Sequence, residues 1–215
     1  MGRPFVLLIN GDLIEGDHPG TKQLVSNHEG HHTEIAIACL EPICELAHET
    51  IITKGTECHT GDYERYIAHR LKAVNWQGTR AHDFVRIDHG GVDICATHHV
   101  GTTSRKYLEA SIPWISAQNQ RLESLASDWT PPDIIIYSHR HRANESRDGN
   151  SMVVVTQPWQ MLTRHGNKAV PGALTQPGCA ILDWDNPYRD PESKLPDVYL
   201  HNYSLPQPKP IRIKT

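Results

Sequence analysis

The sequence predicts a layered α/β fold, with β-sheets inside and helices outside. Over the first two-thirds of the chain, short apolar β-branched runs alternate with segments whose apolar residues recur at helical intervals. The last third contains three further strand-like runs with no helix between them. An alternating region followed by a β-rich region favours stacked sheets covered by helices. The length of 215 residues suits one domain, so we expect residues 1–215 to form a single unit with a Pro-rich, extended tail from about residue 186.

The predicted strands are short apolar runs bounded by turn-forming or charged residues. They cover residues 6–9, 50–53, 84–87, 92–97, 134–137, 152–156, 180–184 and 198–203. The most apolar runs are continuous rather than alternating, which is typical of strands buried on both faces. The clearest is Ile134-Ile135-Ile136, which indicates a central position in a sheet.

Three helices are predicted between the strands, at residues 33 to about 48, 63–74 and 108–127. Thr33 is suited to cap the first helix, because its hydroxyl can accept a backbone N–H. Pro42 falls inside that helix and lacks the N–H that an internal turn needs. We therefore expect a kink or a break there.

Composition excludes several classes of protein. The formal charge of −4 does not suit a broad basic surface for nucleic acid. The five cysteines are odd in number and contain no Cys-x-x-Cys pair, which argues against a disulfide framework or a thiolate zinc site and favours a cytoplasmic protein. No apolar run approaches the roughly 20 residues of a membrane span, so we expect no membrane partner. The fifteen histidines favour metal or proton chemistry.

Four predicted strands end in side chains that commonly bind metals. In order, the motifs are Gly11-Asp12, Gly55-Thr56-Glu57-Cys58-His59, His98-His99 and Ser138-His139-Arg140-His141. In extended backbone, side chains two residues apart share a face, so His139 and His141 can aim at one point. Open α/β sheets place their ligand sites at the carboxyl ends of strands. A mixed set of Asp and His suits Zn, Mn or Fe better than Ca, so the sequence predicts a site for a divalent metal.

Each motif also has a simpler interpretation. Asp12 alone fits an Asx turn after a strand, and Glu57 and His59 fit an exposed loop. His99 fits a solvent-facing position or one behind the ligands. Because four such motifs follow four strands, one shared site is favoured over four separate coincidences.

The order of the motifs resembles that of the calcineurin-like metallophosphoesterases, which carry Asp-x-His, Gly-Asp, Gly-Asn-His, a single His and Gly-His-x-His in that order. The resemblance spans about residues 5–145, and the stretch Ile-Asn-Gly-Asp-Leu-Ile-Glu-Gly at residues 9–16 is typical of phage and prophage members. It implies a β-sandwich flanked by helices and a dinuclear centre of Mn, Zn or Fe. It also implies hydrolysis of phosphomonoesters or phosphodiesters by a metal-activated hydroxide, with nucleotides or nucleic acid among the candidate phosphate esters.

The resemblance assigns a role to each matching residue. Asp12 would bridge both metals, His98 and His139 would bind one metal, and His141 would bind the other. We expect His98 rather than its neighbour to be the ligand, because His98 directly follows the strand, as the family's ligand does. His59 would steady or protonate the leaving group.

Two departures concern the third motif. The family's Asn ligand falls at or near Thr56, and a hydroxyl is a poorer metal ligand than an amide oxygen. Glu57 offers a carboxylate one residue later, so either residue is a candidate replacement. His59 lies two residues later than the Gly-Asn-His pattern expects.

A larger departure concerns the first motif, Asp-x-His on the family's first strand. The ten N-terminal residues contain neither Asp nor His. We therefore expect the family's first strand to be missing, in a truncated or variant chain, with a gap in the sheet beside it. Asp17 and His18 are expected at the rim of the cleft rather than in place of the lost ligands. One metal would then be held tightly at Asp12, His98 and His139, and the second only weakly.

The leading functional hypothesis is a metal-dependent phosphoesterase. The alternative is a truncated or degenerate, non-catalytic binding protein of the same fold, which the missing first motif and Thr56 favour. A hydrolase that uses Cys58 beside His59 is not favoured, because adjacent loop residues rarely form a nucleophile–base pair. Basic residues near the motifs are candidate phosphate contacts, with a solvated surface position as the alternative for each: Lys54, Arg105, Lys106 and Arg140.

Overall fold

Two β-sheets stack face to face, and helices cover the outer face of each sheet. The computed structural model describes residues 3–16, 24–102, 105, 108–149, 151–160 and 176–203. Asp17, His18 and Lys106 lie outside the described residues, as does the Pro-rich segment 206–210. Within the described part, the predicted layered α/β architecture is confirmed.

The first sheet has three parallel strands in the order β1-β2-β3. They are β1 (Val6–Asn10), β2 (Glu49–Thr53) and β3 (Ala81–His82). β2 is the central strand, and Leu8 of β1 lies opposite Ile51 of β2. Among the described residues only β2 pairs with β1, so the edge of the sheet beside β1 is open in this part of the chain.

The second sheet has five strands in the order β4-β5-β6-β8-β7. They are β4 (Phe84–His89), β5 (Val92–Thr97), β6 (Ile134–Tyr137), β7 (Asn144–Asp148) and β8 (Ser151–Val155). β5, β6 and β8 are parallel, whereas β4 and β7 are antiparallel edge strands. β6 is central, as its run of isoleucines indicates. A separate antiparallel pair, β9 (Gly178–Asp183) and β10 (Asp197–Asn202), packs against the core between the sheets.

The helices are α1 (Glu29–Leu46), the short α2 (Glu57–Thr60), α3 (Tyr63–Arg70) and α4 (Ser111–Ala126). Alternate residues of the central strands bury against different layers, as the two-residue period of a strand requires. Ile51 packs between the sheets, whereas Ile52 packs against α1 and α3. Likewise Ile134 packs between the sheets and Ile135 packs against α4. None of the described helices combines the length and the apolar character that crossing a membrane requires.

The first helix differs from the prediction. It begins at Glu29, with His28 as its N-cap, and Thr33 lies one turn inside it. The Thr33 hydroxyl donates to the Glu29 carbonyl at 3.0 Å, so it satisfies a bond within the helix instead of capping it. Pro42 lies inside the helix, which continues to Leu46 without the expected break. The loss of one backbone hydrogen bond does not outweigh the packing of this helix on the sheet.

Three short elements were not predicted, because they lack an apolar pattern: α2, β3 and β7. β7 has the sequence Asn-Glu-Ser-Arg-Asp and lies at an edge of its sheet, where a polar strand is favourable. α3 ends at Arg70 rather than at residue 74. Lys72 has a φ of 56°, and such a left-handed residue ends a helix.

The buried face of β2 gives a test of the packing. Ile52 is 0% exposed, whereas Ile35 on α1 is 48% exposed. We expect Ile52→Ala to lower the free energy of unfolding by about 2–5 kcal/mol, because it removes buried methyl groups and leaves a cavity. Ile35→Ala, the matched control, should change it by no more than about 0.5 kcal/mol. Urea unfolding of both variants measures the difference, and equal effects would contradict the layer assignment.

Candidate metal centre

The side chain of Asn10 joins the ends of four strands. Its amide nitrogen donates to the Thr97 carbonyl at 3.1 Å and to the Ser138 hydroxyl at 2.8 Å. Its amide oxygen accepts the Thr53 hydroxyl at 2.5 Å. Thr53 ends β2 in the first sheet, whereas Thr97 and Ser138 lie at the ends of β5 and β6 in the second. One buried side chain therefore fixes the carboxyl ends of both sheets at the same place.

The loops that follow β1 and β2 are in close contact through two glycines. A Cβ added to Gly11 would lie 2.6 Å from the Gly55 Cα, and Gly11 has a φ of +77°. Only glycine fits this approach and this backbone conformation. The contact places the Asp12 Oδ1 atom 2.5 Å from the Thr56 backbone N–H, which it accepts. The Gly11-Asp12 and Gly55-Thr56 motifs thus belong to one site.

His98 lies at the centre of this site and is buried. Its Nδ1 donates to the Asn10 carbonyl at 2.6 Å, which leaves the Nε2 lone pair facing inward. Nε2 lies 2.9 Å from the Asp12 Oδ2 atom and has no other partner among the described residues. A nitrogen lone pair and a carboxylate this close require a proton or a cation between them. The pair therefore fits a divalent metal ion.

The charges of Asp12 and His98 support the same conclusion. Burial alone would raise the pKa of Asp12, but His98 and the Thr56 amide hold that pKa below its usual value, so Asp12 is an anion. Burial alone would lower the pKa of His98, but the Asp12 carboxylate raises it above its usual value. A proton on His98 therefore competes with a metal ion for this position.

Two further imidazoles complete the cluster. The ligand atoms of His98, His99 and His139 all lie within 4.8 Å of one another. The Thr56 hydroxyl lies 3.3 Å from the His139 Nδ1 atom and 3.4 Å from the His99 Nε2 atom. Burial lowers the pKa of His139, and the neighbouring His98 lowers it further. The same two causes, in the same order, lower the pKa of His99. Both rings are therefore neutral at neutral pH, which is the form that binds metals.

The backbone around the ligands is strained. Asp12, His139 and His141 have φ values of 55°, 62° and 56°, a region that residues other than glycine rarely adopt. Each such residue costs of order 1–3 kcal/mol, and such residues concentrate at functional sites. At His139 and His141 this conformation also ends the extended backbone, so the two-residue alternation of a strand does not apply there.

The structure places the expected site residues in two groups. Asp12 lies beside His98, and the His98 ring lies beside His139, with centroids 5.3 Å apart, whereas His141 lies outside the three-imidazole cluster. His141 is nonetheless close enough to Asp12 and His98 for their charges to shift its pKa, which burial lowers. His59 lies in α2, and its Nδ1 is 3.0 Å from the Glu15 carbonyl.

The sequence favours His98 over His99 as the ligand, because His98 directly follows β5. In the structure both rings contact His139, with centroids 5.3 Å and 5.2 Å from it. The pair of consecutive histidines at a strand end was the available signal. Of the two candidate replacements for the family's Asn, the Thr56 hydroxyl lies at the cluster, whereas Glu57 is exposed.

The candidate phosphate contacts have other partners. Lys54 forms an ion pair with Asp83 at 3.0 Å. Arg140 is half-buried and donates to the Glu109 carbonyl. Burial lowers the pKa of Arg140, and the nearby Arg142 adds to this effect. In the sequence, Arg140 stands directly between His139 and His141.

No known protein family matches the sequence, and no curated protein does. The chain is similar to solved structures. An archaeal phosphodiesterase is 15% identical over 79% of this chain and 76% of that chain, with a TM-score of 0.45. Vacuolar Protein Sorting 29 from Cryptosporidium parvum is 15% identical over 83% and 84%, with a TM-score of 0.43. Wild-type Vps29 from Entamoeba histolytica, complexed with zinc, is 14% identical over 85% and 87%, with a TM-score of 0.41. We therefore derive function from the chemistry of the side chains at the strand ends.

The glycine contact gives a matched test of the site. Gly11 and Gly78 have φ values of +77° and +82°, but a Cβ on Gly78 meets nothing within 4 Å. Both alanine variants carry the same backbone strain, and only Gly11→Ala forces the two loops apart. We expect Gly11→Ala to cost about 1–3 kcal/mol more stability than Gly78→Ala and to weaken Zn²⁺ binding. Equal Zn²⁺ affinities in isothermal titration calorimetry would contradict the loop contact.

Proton competition at His98 predicts a pH dependence of metal binding. Because the folded protein holds the pKa of His98 above its usual value of 6.5, an ion that binds at pH 6.5 must displace this proton. We expect protons to be released when Zn²⁺ binds at pH 6.5, and the Zn²⁺ affinity to fall as the pH is lowered. Calorimetry in two buffers of different ionisation enthalpy measures the release. Binding without proton release would show that His98 is not a ligand.

Proposed function

We propose that this chain is a divalent-metal-dependent phosphoesterase of the metallophosphoesterase type. The observation that carries the proposal is the buried His98 Nε2 atom, which lies 2.9 Å from the Asp12 carboxylate and has no other partner among the described residues. His99 and His139 offer further nitrogen ligands within reach of the same point. An Asp and His donor set at strand ends, in the motif order described above, is the basis for assigning phosphate esters as substrates.

The proposed ligands for one tightly held ion are Asp12, His98 and His139, with His99 as the fourth donor. His141 lies outside the three-imidazole cluster and is the proposed ligand of a second, weaker site. Zn, Mn and Fe all suit this set of oxygen and nitrogen donors. Cytoplasmic location and phage-type membership stay predictions from the sequence.

A bound divalent ion supplies a Lewis acid that neutralises phosphoryl oxygens and lowers the pKa of water. The chain supplies orientation around it. The Asn10 carbonyl fixes the His98 tautomer, and the Thr56 amide fixes the rotamer of Asp12. His59 is within electrostatic reach of Asp12. We assign to its Nε2 the transfer of a proton to the leaving oxygen, since Nδ1 is oriented by the Glu15 carbonyl.

The alternative is a non-catalytic binding protein that uses the same site. The specific observation in its favour is that the clustered imidazoles of the described residues form a single group, which suits one ion rather than two. Such a protein would bind the metal with the same ligands and hydrolyse no ester. Metal binding and turnover must therefore be measured separately.

The test is hydrolysis of bis-p-nitrophenyl phosphate and p-nitrophenyl phosphate with Mn²⁺ added. We expect His139→Ala to reduce kcat/KM at least about 100-fold, since losing even a group that orients a ligand costs 10–100-fold. His69→Ala is the matched control, because His69 is exposed on α3. Equal rates in the parent and His139→Ala would contradict the proposal. Tight Mn²⁺ binding with no turnover in the parent would favour the binding protein.

A further inference from the structure

We propose that Glu64 is a positioning residue whose buried carboxylate holds together the two loops that carry Asp12 and Thr56. Its carboxylate binds backbone amides of the two loops and not the imidazole nitrogens of the cluster. It acts through the backbone on both sides of the site. This inference rests on the proposed metal site for its functional consequence, although the contacts themselves do not depend on it.

The two carboxylate oxygens of Glu64 divide between the two loops. Oε2 accepts the Gly55 backbone N–H at 2.7 Å, and Oε1 accepts the Leu13 backbone N–H at 3.3 Å. Gly55 directly precedes Thr56 in the loop after β2, and Leu13 directly follows Asp12 in the loop after β1. A single rigid group therefore sets the separation of the two loops.

The position of Glu64 is unfavourable for any purpose other than these bonds. It is 0% exposed on the face of α3 that also buries Ile67 and Ala68, where an apolar side chain would pack without penalty. No Lys, Arg or His forms an ion pair with it among the described residues, so the two amides and the Thr60 side chain are its compensation. A buried carboxylate without a cation costs several kcal/mol of desolvation.

The electrostatic surroundings of Glu64 agree with its hydrogen bonds. Burial raises the pKa of Glu64, and the nearby Asp12 carboxylate adds to the rise, whereas the Gly55 and Leu13 amides oppose it. The bonds lie directly behind the Gly11–Gly55 contact. Without an acceptor on α3, two partly buried N–H groups lose their partner and the two loops lose their common anchor. The Asp12 carboxylate would then shift relative to His98.

The test compares two substitutions on the same buried face. Glu64→Gln keeps the shape but presents an N–H₂ group to one of the two amides. Ile67→Val is the matched control, since Ile67 is also 0% exposed on α3 but touches neither loop amide. We expect Glu64→Gln to weaken Zn²⁺ binding about 10–100-fold in calorimetry, and Ile67→Val to change it less than about twofold despite its loss of stability. Equal Zn²⁺ affinity in Glu64→Gln and the parent would overturn the proposal.

A second readout needs no metal. In the metal-free protein, amide hydrogen exchange at Gly55 and Leu13 should accelerate in Glu64→Gln and stay at the parent rate in Ile67→Val, after correction for global stability. Unchanged exchange at both amides would overturn the role of Glu64.

Absence of Zn²⁺ binding by the parent would contradict the proposed function instead, and the exchange rates alone would then decide whether Glu64 holds the two loops. If Glu64→Gln does not fold, Glu64→Asp, whose shorter side chain cannot reach both loops, takes its place in both measurements.

Discussion

The rest of the site depends on the hydrogen bonds of the Asn10 side chain. Through its amide it binds Thr53 of the first sheet and Thr97 and Ser138 of the second, so the two sheets share a single fixed edge. The backbone carbonyl of Asn10 also orients His98. Buried polar groups are costly unless every donor and acceptor is satisfied, and here one residue satisfies four such contacts. The strands that carry the ligands are thereby held in register with one another.

The site concentrates the energetic cost of the fold at one place. Two glycines in contact and three non-glycine residues with positive φ lie in the loops after β1, β2 and β6, and the buried carboxylate of Glu64 lies beside them on α3. The apolar layers on either side of the sheets supply the stability that tolerates this cost, since Ile52, Ile134 and Ile135 are fully buried. Such a division between a well-packed scaffold and a strained edge is expected where a site must hold its ligands before an ion binds.

The sequence predicts the scaffold better than the site. The continuous apolar runs specify the central strands, and β5 and β6 match their predicted bounds, because burial on both faces leaves a strong compositional signal. The strand-end position of Asp12, His98 and His139 could also be read from the chain. Polar contacts between different segments could not be predicted from the sequence. The roles of Asn10 and Glu64 depend on hydrogen bonds that form only when separate elements come together in the fold.

The account is tested most directly by X-ray absorption spectroscopy of the zinc-loaded protein. If Asp12 and the imidazole cluster hold the ion, one Zn²⁺ per chain should be bound tightly, with two or three histidine nitrogens at about 2.0–2.1 Å and at least one oxygen in the coordination shell. The histidine contribution should decrease in His139→Ala and persist in His69→Ala. A shell made of oxygen alone, or one unchanged in His139→Ala, would contradict the assignment of the site.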